Sequence, residues 1–249
     1  MGEVIGAFVL DFDGVVADSM PAQENAWRQA ISRAAPSVSE IQKERLLKNL
    51  WAGHAGKRMF EGTHISPSLQ SQLRQIKDAI WEKERQFIPA VFGVNEAVRK
   101  LRNMAALFIS TTAPRKYVES NLRRFSIYDF FDEIVTDEDV TNPKPAPDAL
   151  FVISALAGIS PNQLMVIGDT VTDQEMARAA GSQFILFTPH INSHINAKYT
   201  KQYFEWQVLV TDLCRERNPV GWARPTLTDR FGTNLLDDSA QFFEKRNKK

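Results

Sequence analysis

The stretch Ala7-Phe8-Val9-Leu10-Asp11-Phe12-Asp13-Gly14 decides the fold. Four consecutive apolar residues end abruptly in two carboxylates and a glycine. A run this short and this uniformly apolar fits a strand buried on both faces, as in a parallel sheet. Similar runs recur at Ala106-Leu107-Phe108-Ile109, Glu133-Ile134-Val135, Leu164-Met165-Val166-Ile167 and Phe184-Ile185-Leu186-Phe187. Helical periods separate the later ones. Tyr117, Val118, Asn121, Leu122 and Phe125 include one apolar stripe, Ala149, Leu150, Ile153, Leu156 and Ala157 make a second, and Met176, Ala177 and Ala180 a third. Gly158 and Gly181 stand where helix C-caps belong. Strands alternating with helices predict an α/β fold built on a doubly wound parallel sheet.

The interval between the first two strands breaks that rhythm. Ala22, Ala26, Trp27, Ala30 and Ile31 follow a helical period, Ser39 to Gln42 reads as a capping box before Leu46, Leu47 and Leu50, and Leu73, Ile76, Ile80 and Phe87 give a third amphipathic helix. One crossover helix needs far fewer residues, so positions 18–88 are expected to form an inserted helical domain, with hinges at Asp18-Ser19 and Pro89. Positions 1–17 and 89–217 then make the sheet domain. Trp27, Trp51, Trp81 and Phe87 are expected in the core of the insertion. The segment Trp206 to Leu213 suits either a last strand or a last helix. Residues 218–249 are polar, carry Pro219, Gly221, Pro225 and Gly232, and read as an extension.

Composition narrows the function classes. The chain has 249 residues, 43% of them hydrophobic and 24% charged, the profile of a globular protein of one or two domains. Thirty basic residues balance thirty acidic ones, which excludes nucleic-acid binding by bulk positive charge. The single cysteine, Cys214, excludes an intrachain disulfide and a cysteine-based zinc site. No segment approaches the ~18–20 apolar residues of a membrane span. The apolar start lacks the basic flank and cleavage site of a signal peptide, so the expected compartment is the cytoplasm.

Chemistry gathers at the strand ends. Ligands of open α/β sheets lie there, and strand alternation sends Asp11 and Asp13 the same way. Two adjacent carboxylates repel unless a cation or proton intervenes. An all-oxygen acidic cluster suits a hard divalent cation such as Mg²⁺. Gly14 permits a tight exit of the backbone. After the fourth strand, Gly168-Asp169-Thr170-Val171-Thr172-Asp173 supplies two more carboxylates; Asp173 suits either a helix N-terminus or the same metal site. Lys144, flanked by Pro143 and Pro145, is either a solvated charge or a fixed cation for a nucleophile and a phosphoryl group. Ser110, Thr111 and Thr112 follow the second strand and suit either phosphoryl oxygens or a helix cap near Pro114.

Taken in order, DFDGVVADS, LFISTT, NPKPAPD and VIGDTVTD resemble the four motifs of the haloacid dehalogenase superfamily, over the core from Val9 to about Phe187. The helical insertion resembles the C1 cap of its phosphoglycolate phosphatase and β-phosphoglucomutase branch. Val15-Val16 stands where many members have Thr-Leu, which leaves the catalytic pair untouched. The resemblance implies Asp11 as a nucleophile that becomes an aspartyl phosphate, and Asp13 as general acid and then base. It implies Mg²⁺ held by Asp11, the main-chain carbonyl of Asp13 and Asp169, with Asp173 as ligand or support. Ser110 would hold a phosphoryl oxygen and Lys144 would pair with Asp11, while Thr111 is one residue of strand end away from taking the place of Ser110. Leu50 to Arg58 resembles the substrate-facing loop of such caps, with Gly53, His54, Lys57 and Arg58 as substrate-binding residues or, equally, as a plain surface loop. His64, His190 and His194 have no metal-ligand spacing. The expected activity is Mg²⁺-dependent hydrolysis of a small phosphorylated metabolite, with no nucleic-acid or membrane partner and with monomer and homodimer both open. A phosphomutase, a receiver-like phosphate acceptor and a non-catalytic binding protein are the alternatives. Dehalogenation is disfavoured because that branch usually lacks the second acid, Asp13.

Overall fold

The computed structural model of the chain describes residues 4–54, 56–190 and 201–216. The extension at 218–249 and His194 lie outside them. Six strands form the sheet: β1 (Ala7–Leu10), β2 (Ala106–Thr111), β3 (Glu133–Thr136), β4 (Leu164–Gly168), β5 (Gln183–Phe187) and β6 (Lys201–Tyr203). Their order is β3-β2-β1-β4-β5-β6, and every neighbouring pair is parallel. The five apolar runs become β1 to β5, as the sequence predicts.

Alternation along each strand divides the core into two layers. Phe8, Leu10, Leu107 and Ile109 face α4 (Val94–Met104), α5 (Arg115–Arg124) and α8 (Trp206–Glu216). Ala7, Val9, Phe108 and Val166 face α6 (Asp148–Ala157) and α7 (Val171–Ala180). Strands buried on both faces explain the unbroken apolar runs. Each fully buried Leu, Ile or Phe contributes about 1.5–3 kcal/mol, so these layers hold the strand ends rigidly. Gly158 and Gly181 do cap α6 and α7 in the left-handed conformation. The 206–213 segment is the helix α8, because Trp206, Leu209, Val210 and Leu213 recur at the spacing of one helical face and are all buried.

Between β1 and α4 lie α1 (Met20–Ala34), α2 (Glu40–Trp51), a 3₁₀ turn (Gly56–Phe60) and α3 (Pro67–Glu84). The predicted capping box at Ser39 and Gln42 starts α2. Trp27, Ile31, Leu46, Leu50, Phe60 and Leu73 form a separate apolar cluster inside this insertion. The chain enters and leaves side by side: the Asp18 N–H donates to the Pro89 carbonyl (2.9 Å) and the Val91 N–H to the Val16 carbonyl (2.9 Å). The aromatic expectation needs correction. Trp27 sits in the cluster, but Trp51 is half-buried beside the sheet edge, Trp81 packs against the main core, and Phe87 is 80% exposed. Trp81 lies on the side of α3 that turns toward the sheet domain, and Phe87 follows the end of α3.

Candidate active site

Register places the site. Leu10 lies opposite Ile109 of β2 and Ile167 of β4. The next residues, Asp11, Ser110 and Gly168-Asp169, therefore emerge together at the carboxyl edge. The chain runs from β1 outward to β2 and β3, then returns to the other side of β1 as β4. The crevice of that topological reversal lies between β1 and β4.

Glycines make the crowding possible. Gly14 has φ +80°, and a Cβ there would lie 2.0 Å from Oδ2 of Asp169. A Cβ on Gly168 would lie 2.4 Å from Cβ of Asp173. The exit of β1 is a tight turn in which the Val16 and Ala17 N–H groups donate to the Phe12 carbonyl.

Lys144 is the centre of the cluster. Its Nζ donates to Oδ1 of Asp11 (3.0 Å), to Oδ1 of Asp173 (2.6 Å) and to the Ser110 carbonyl (2.8 Å). These three acceptors match the three donors of an ammonium group. The Lys144-Pro145 peptide is cis. Burial opposes the charge of Lys144, but Asp11 and Asp173 outweigh it and raise its pKa. Asp173, fully buried, also closes a capping box with Thr170, accepting from the Thr170 N–H (3.1 Å) and hydroxyl. The N-terminal role and the site role of Asp173 are thus compatible: one oxygen serves α7 and the other Lys144.

The acids are held against their preference. Burial first, and then Asp173, push the Asp11 carboxyl up to about 7, against the pull of Lys144. Asp169 is raised well above the usual range by burial, then by Asp11 and Asp173. Burial likewise raises Asp13. One oxygen each from Asp11, Asp169 and Asp173 lies within 4.8 Å of the others. Oδ1 of Asp169 is buried without a hydrogen-bond partner. Two like charges at 4 Å repel by about 4 kcal/mol at an effective dielectric near 20. Lys144 neutralises one of three such carboxylates. A hard dication fits the remainder in both charge and donor type.

Asp13 stands apart from that acidic group. Its Oδ1 accepts a hydrogen bond from the Tyr117 hydroxyl at 3.0 Å. The two hydroxyl candidates also separate. Oγ1 of Thr111 is engaged by the Ala113 N–H (3.1 Å), whereas Oγ of Ser110 has only a 3.9 Å contact to the sulfur of Met176. Ser110 continues the register and face of Asp11.

From the insertion, the turn ending α2 rests on this edge. Gly53 has φ +74°, and a Cβ there would lie 2.6 Å from the side chain of Thr170. His54 is half-buried, with Nδ1 unpartnered. Lys57 and Arg58 are exposed on the 3₁₀ turn. A small pocket is lined by Gly14, Met20, Trp51, Asp169, Thr188, Pro189 and His190. His190 Nε2 meets Oδ1 of Asp18 at 2.7 Å, and its ring packs edge-on to Trp51 at 5.4 Å. Sequence reasoning read Tyr117 only as part of an apolar stripe and Trp51 as core of the insertion, and gave His190 no role. Tyr117 and Asp13 are 104 positions apart, and nothing local links them.

The comparisons bear on the family and the fold. The family model of haloacid dehalogenase-like hydrolases matches residues 8–187. Among curated relatives, a phosphoglycolate phosphatase of Vibrio cholerae is 27% identical over 184 residues, spanning 71% of this chain and 81% of its own. A phosphorylated carbohydrates phosphatase of Thermotoga maritima is 24% identical over 188 residues, spanning 74% and 85%. Among solved structures, a haloacid dehalogenase-like family hydrolase from Streptococcus pneumoniae superposes with a TM-score of 0.68 at 20% identity, covering 84% of this chain and 98% of that one.

Proposed function

The chain belongs to the haloacid dehalogenase-like hydrolase family, and from that premise we propose that it is a Mg²⁺-dependent phosphatase of a small phosphorylated metabolite, working through a phosphoryl group carried on Asp11. The observation that carries this reading is the position of Lys144, bonded at once to Asp11 and Asp173 beside the unpartnered oxygen of Asp169. A nucleophilic carboxylate must be ionised yet able to approach a phosphate. Lys144 serves both needs, by holding Asp11 in place and by offsetting charge on the phosphoryl oxygens. Asp11, Asp169, the Asp13 carbonyl and Asp173, directly or through its neighbours, would hold the cation. Bound Mg²⁺ would neutralise the phosphate and allow Asp11 to ionise.

The remaining steps belong to side chains. Ser110 would donate to a phosphoryl oxygen from the face it shares with Asp11. Asp13 would protonate the leaving oxygen and then take a proton from the attacking water. Positioning and charge would supply most of the acceleration. The insertion would act as a cap that excludes water and selects substrate through the turn at Gly53, His54, Lys57 and Arg58. The named activities of the relatives support phosphoglycolate and phosphorylated carbohydrates as first candidates, and such substrates imply a cytoplasmic setting.

The test is phosphate release across a panel of phosphorylated metabolites with Mg²⁺, for the wild type and Asp11→Asn. Hydrolysis by the wild type, its loss in Asp11→Asn, and an acid-stable phosphoryl adduct trapped only in the wild type are the expected results. Undiminished turnover by Asp11→Asn would overturn the reading. So would isomerisation of a sugar phosphate without phosphate release.

A further inference from the structure

Tyr117 has no place in the four motifs, yet its hydroxyl is hydrogen-bonded to Asp13, a carboxyl on which the buried Ser19 hydroxyl also bears. The distance is 3.0 Å, from the phenol oxygen to Oδ1. The residue stands in the first turn of α5, and its ring is almost wholly buried. Phe12 packs edge-on to it, with ring centroids 5.4 Å apart and planes at 89°. Trp81 of α3 approaches at 6.1 Å, and the guanidinium of Arg85, just past the end of α3, lies 5.3 Å over its face. A ring boxed in this way cannot swing, so its hydroxyl occupies a fixed point.

We propose that Tyr117 is the positioning residue of Asp13: by donating to Oδ1 it makes that oxygen the acceptor and leaves Oδ2 to carry the transferable proton. The inference rests on the phosphatase reading above. A phenol offers one O–H, and a carboxylic acid accepts best on its carbonyl oxygen. Donation to Oδ1 therefore selects one of the two possible acid forms and aims it. In the first half-reaction an Asp11 oxygen bonds to phosphorus, the bond from phosphorus to the leaving oxygen breaks, and the proton on Oδ2 passes to that oxygen. In the second, water attacks phosphorus, the bond to Asp11 breaks, and the water proton returns to Oδ2. Tyr117 exchanges no proton in either half. Because Trp81 and Arg85 come from the insertion, the placement of the acid also depends on how α3 sits against the sheet domain.

The test uses the full chain with Mg²⁺ and two esters, the best alkyl phosphate from the metabolite panel and p-nitrophenyl phosphate, whose leaving group departs without a proton. The comparison is made in kcat/KM, which reports the half-reaction up to departure of the leaving group. Tyr117→Phe should lower kcat/KM for the alkyl ester about 10–100-fold and for the nitrophenyl ester by less than about threefold. In an Asp13→Asn background the same substitution should produce no further difference between the esters. Equal losses on both esters, no loss on either, or a selective loss that persists in Asp13→Asn would overturn the proposal while leaving the phosphatase reading intact. A wild type that turns over neither ester would overturn both. Tyr117→Phe keeps the ring and its packing, and a melting temperature matching the wild type separates a kinetic from a folding defect.

Discussion

The edge between β1 and β4 and the turn at the end of α2 face the same crevice but are built on opposite plans. At the sheet edge every cationic donor is used: Lys144 is 5% exposed at its side chain and holds three acceptors, and Gly14 and Gly168 leave no room for a larger residue. At the turn, Lys57 and Arg58 are exposed, while Gly53 is tightly fitted against the sheet domain. Chemistry needs a geometry fixed to a fraction of an ångström, and buried, mutually bonded charges supply it. Selection among substrates needs side chains that are free to meet a ligand. On the proposed function, the reaction would belong to the sheet edge and the choice of substrate to the insertion.

The hardest blow to that contrast is struck at Lys144. Lys144→Met removes the cation that, among the described residues, pairs with the acidic group and leaves Asp11 and Asp173 buried against each other. Breaking a buried ion pair from one side costs about 3–5 kcal/mol. The expected outcome is a clearly lowered melting temperature, partly restored by Mg²⁺, and a loss of turnover of about 10²–10³-fold. A variant that melts like the wild type and keeps most of its turnover would show that the sheet edge is less constrained than its geometry implies.

How much of this was legible follows the same division. The strands could be read because burial on both faces writes an unbroken apolar run, and Asp11, Asp13, Lys144 and Asp169 because they directly follow or closely trail such runs. Helix α8 was ambiguous only until the spacing of Trp206, Leu209, Val210 and Leu213 is set against burial. Strand β6 left no trace: Lys201-Gln202-Tyr203 is too short and too polar to carry a period, and only its pairing with Ile185 to Phe187 makes it a strand. Tyr117 was visible as part of an apolar stripe but not as a partner of Asp13, since a tyrosine buries its ring for packing and spends its hydroxyl on whatever the tertiary fold brings. Phe87 misled for the converse reason. It continues the apolar period of α3, but the helix has already ended at Glu84.

A milder test changes the solvent alone. In metal-free protein, Asp11 holds its proton up to about pH 7, against 3.8 for an unconstrained aspartate, and Asp169 is raised as well. Through that window the folded chain binds protons that the unfolded chain has released. Stability contributed by these groups is therefore present at low pH and falls as pH rises toward 7. A cation favours the ionised carboxylates, so its stabilising effect has the opposite trend. Melting temperatures measured after chelation should fall from about pH 5 to about pH 8, and the increment given by added Mg²⁺ should grow over the same range. An increment independent of pH would mean that the cation, if bound at all, does not compete with protons at Asp11 and Asp169.

The smallest effects belong to the turn, and they test the contrast from its other side. Lys57→Ala and Arg58→Ala each remove one exposed charge that forms no ion pair among the described residues. Exposed charges contribute about 1 kcal/mol or less to stability, so both variants should melt as the wild type does. An exposed cation that meets substrate in the ground state and the transition state alike lowers KM without changing kcat, and its removal should raise KM by up to about tenfold. The larger share is expected at Arg58, whose planar guanidinium pairs with an anion in two places where an ammonium pairs in one. Steady-state kinetics on the best substrate of the panel reads both constants. A fall in kcat at Arg58 comparable with that at Lys144 would place this turn in the reacting centre itself, and the division between a bonded edge that reacts and a free turn that selects would no longer hold.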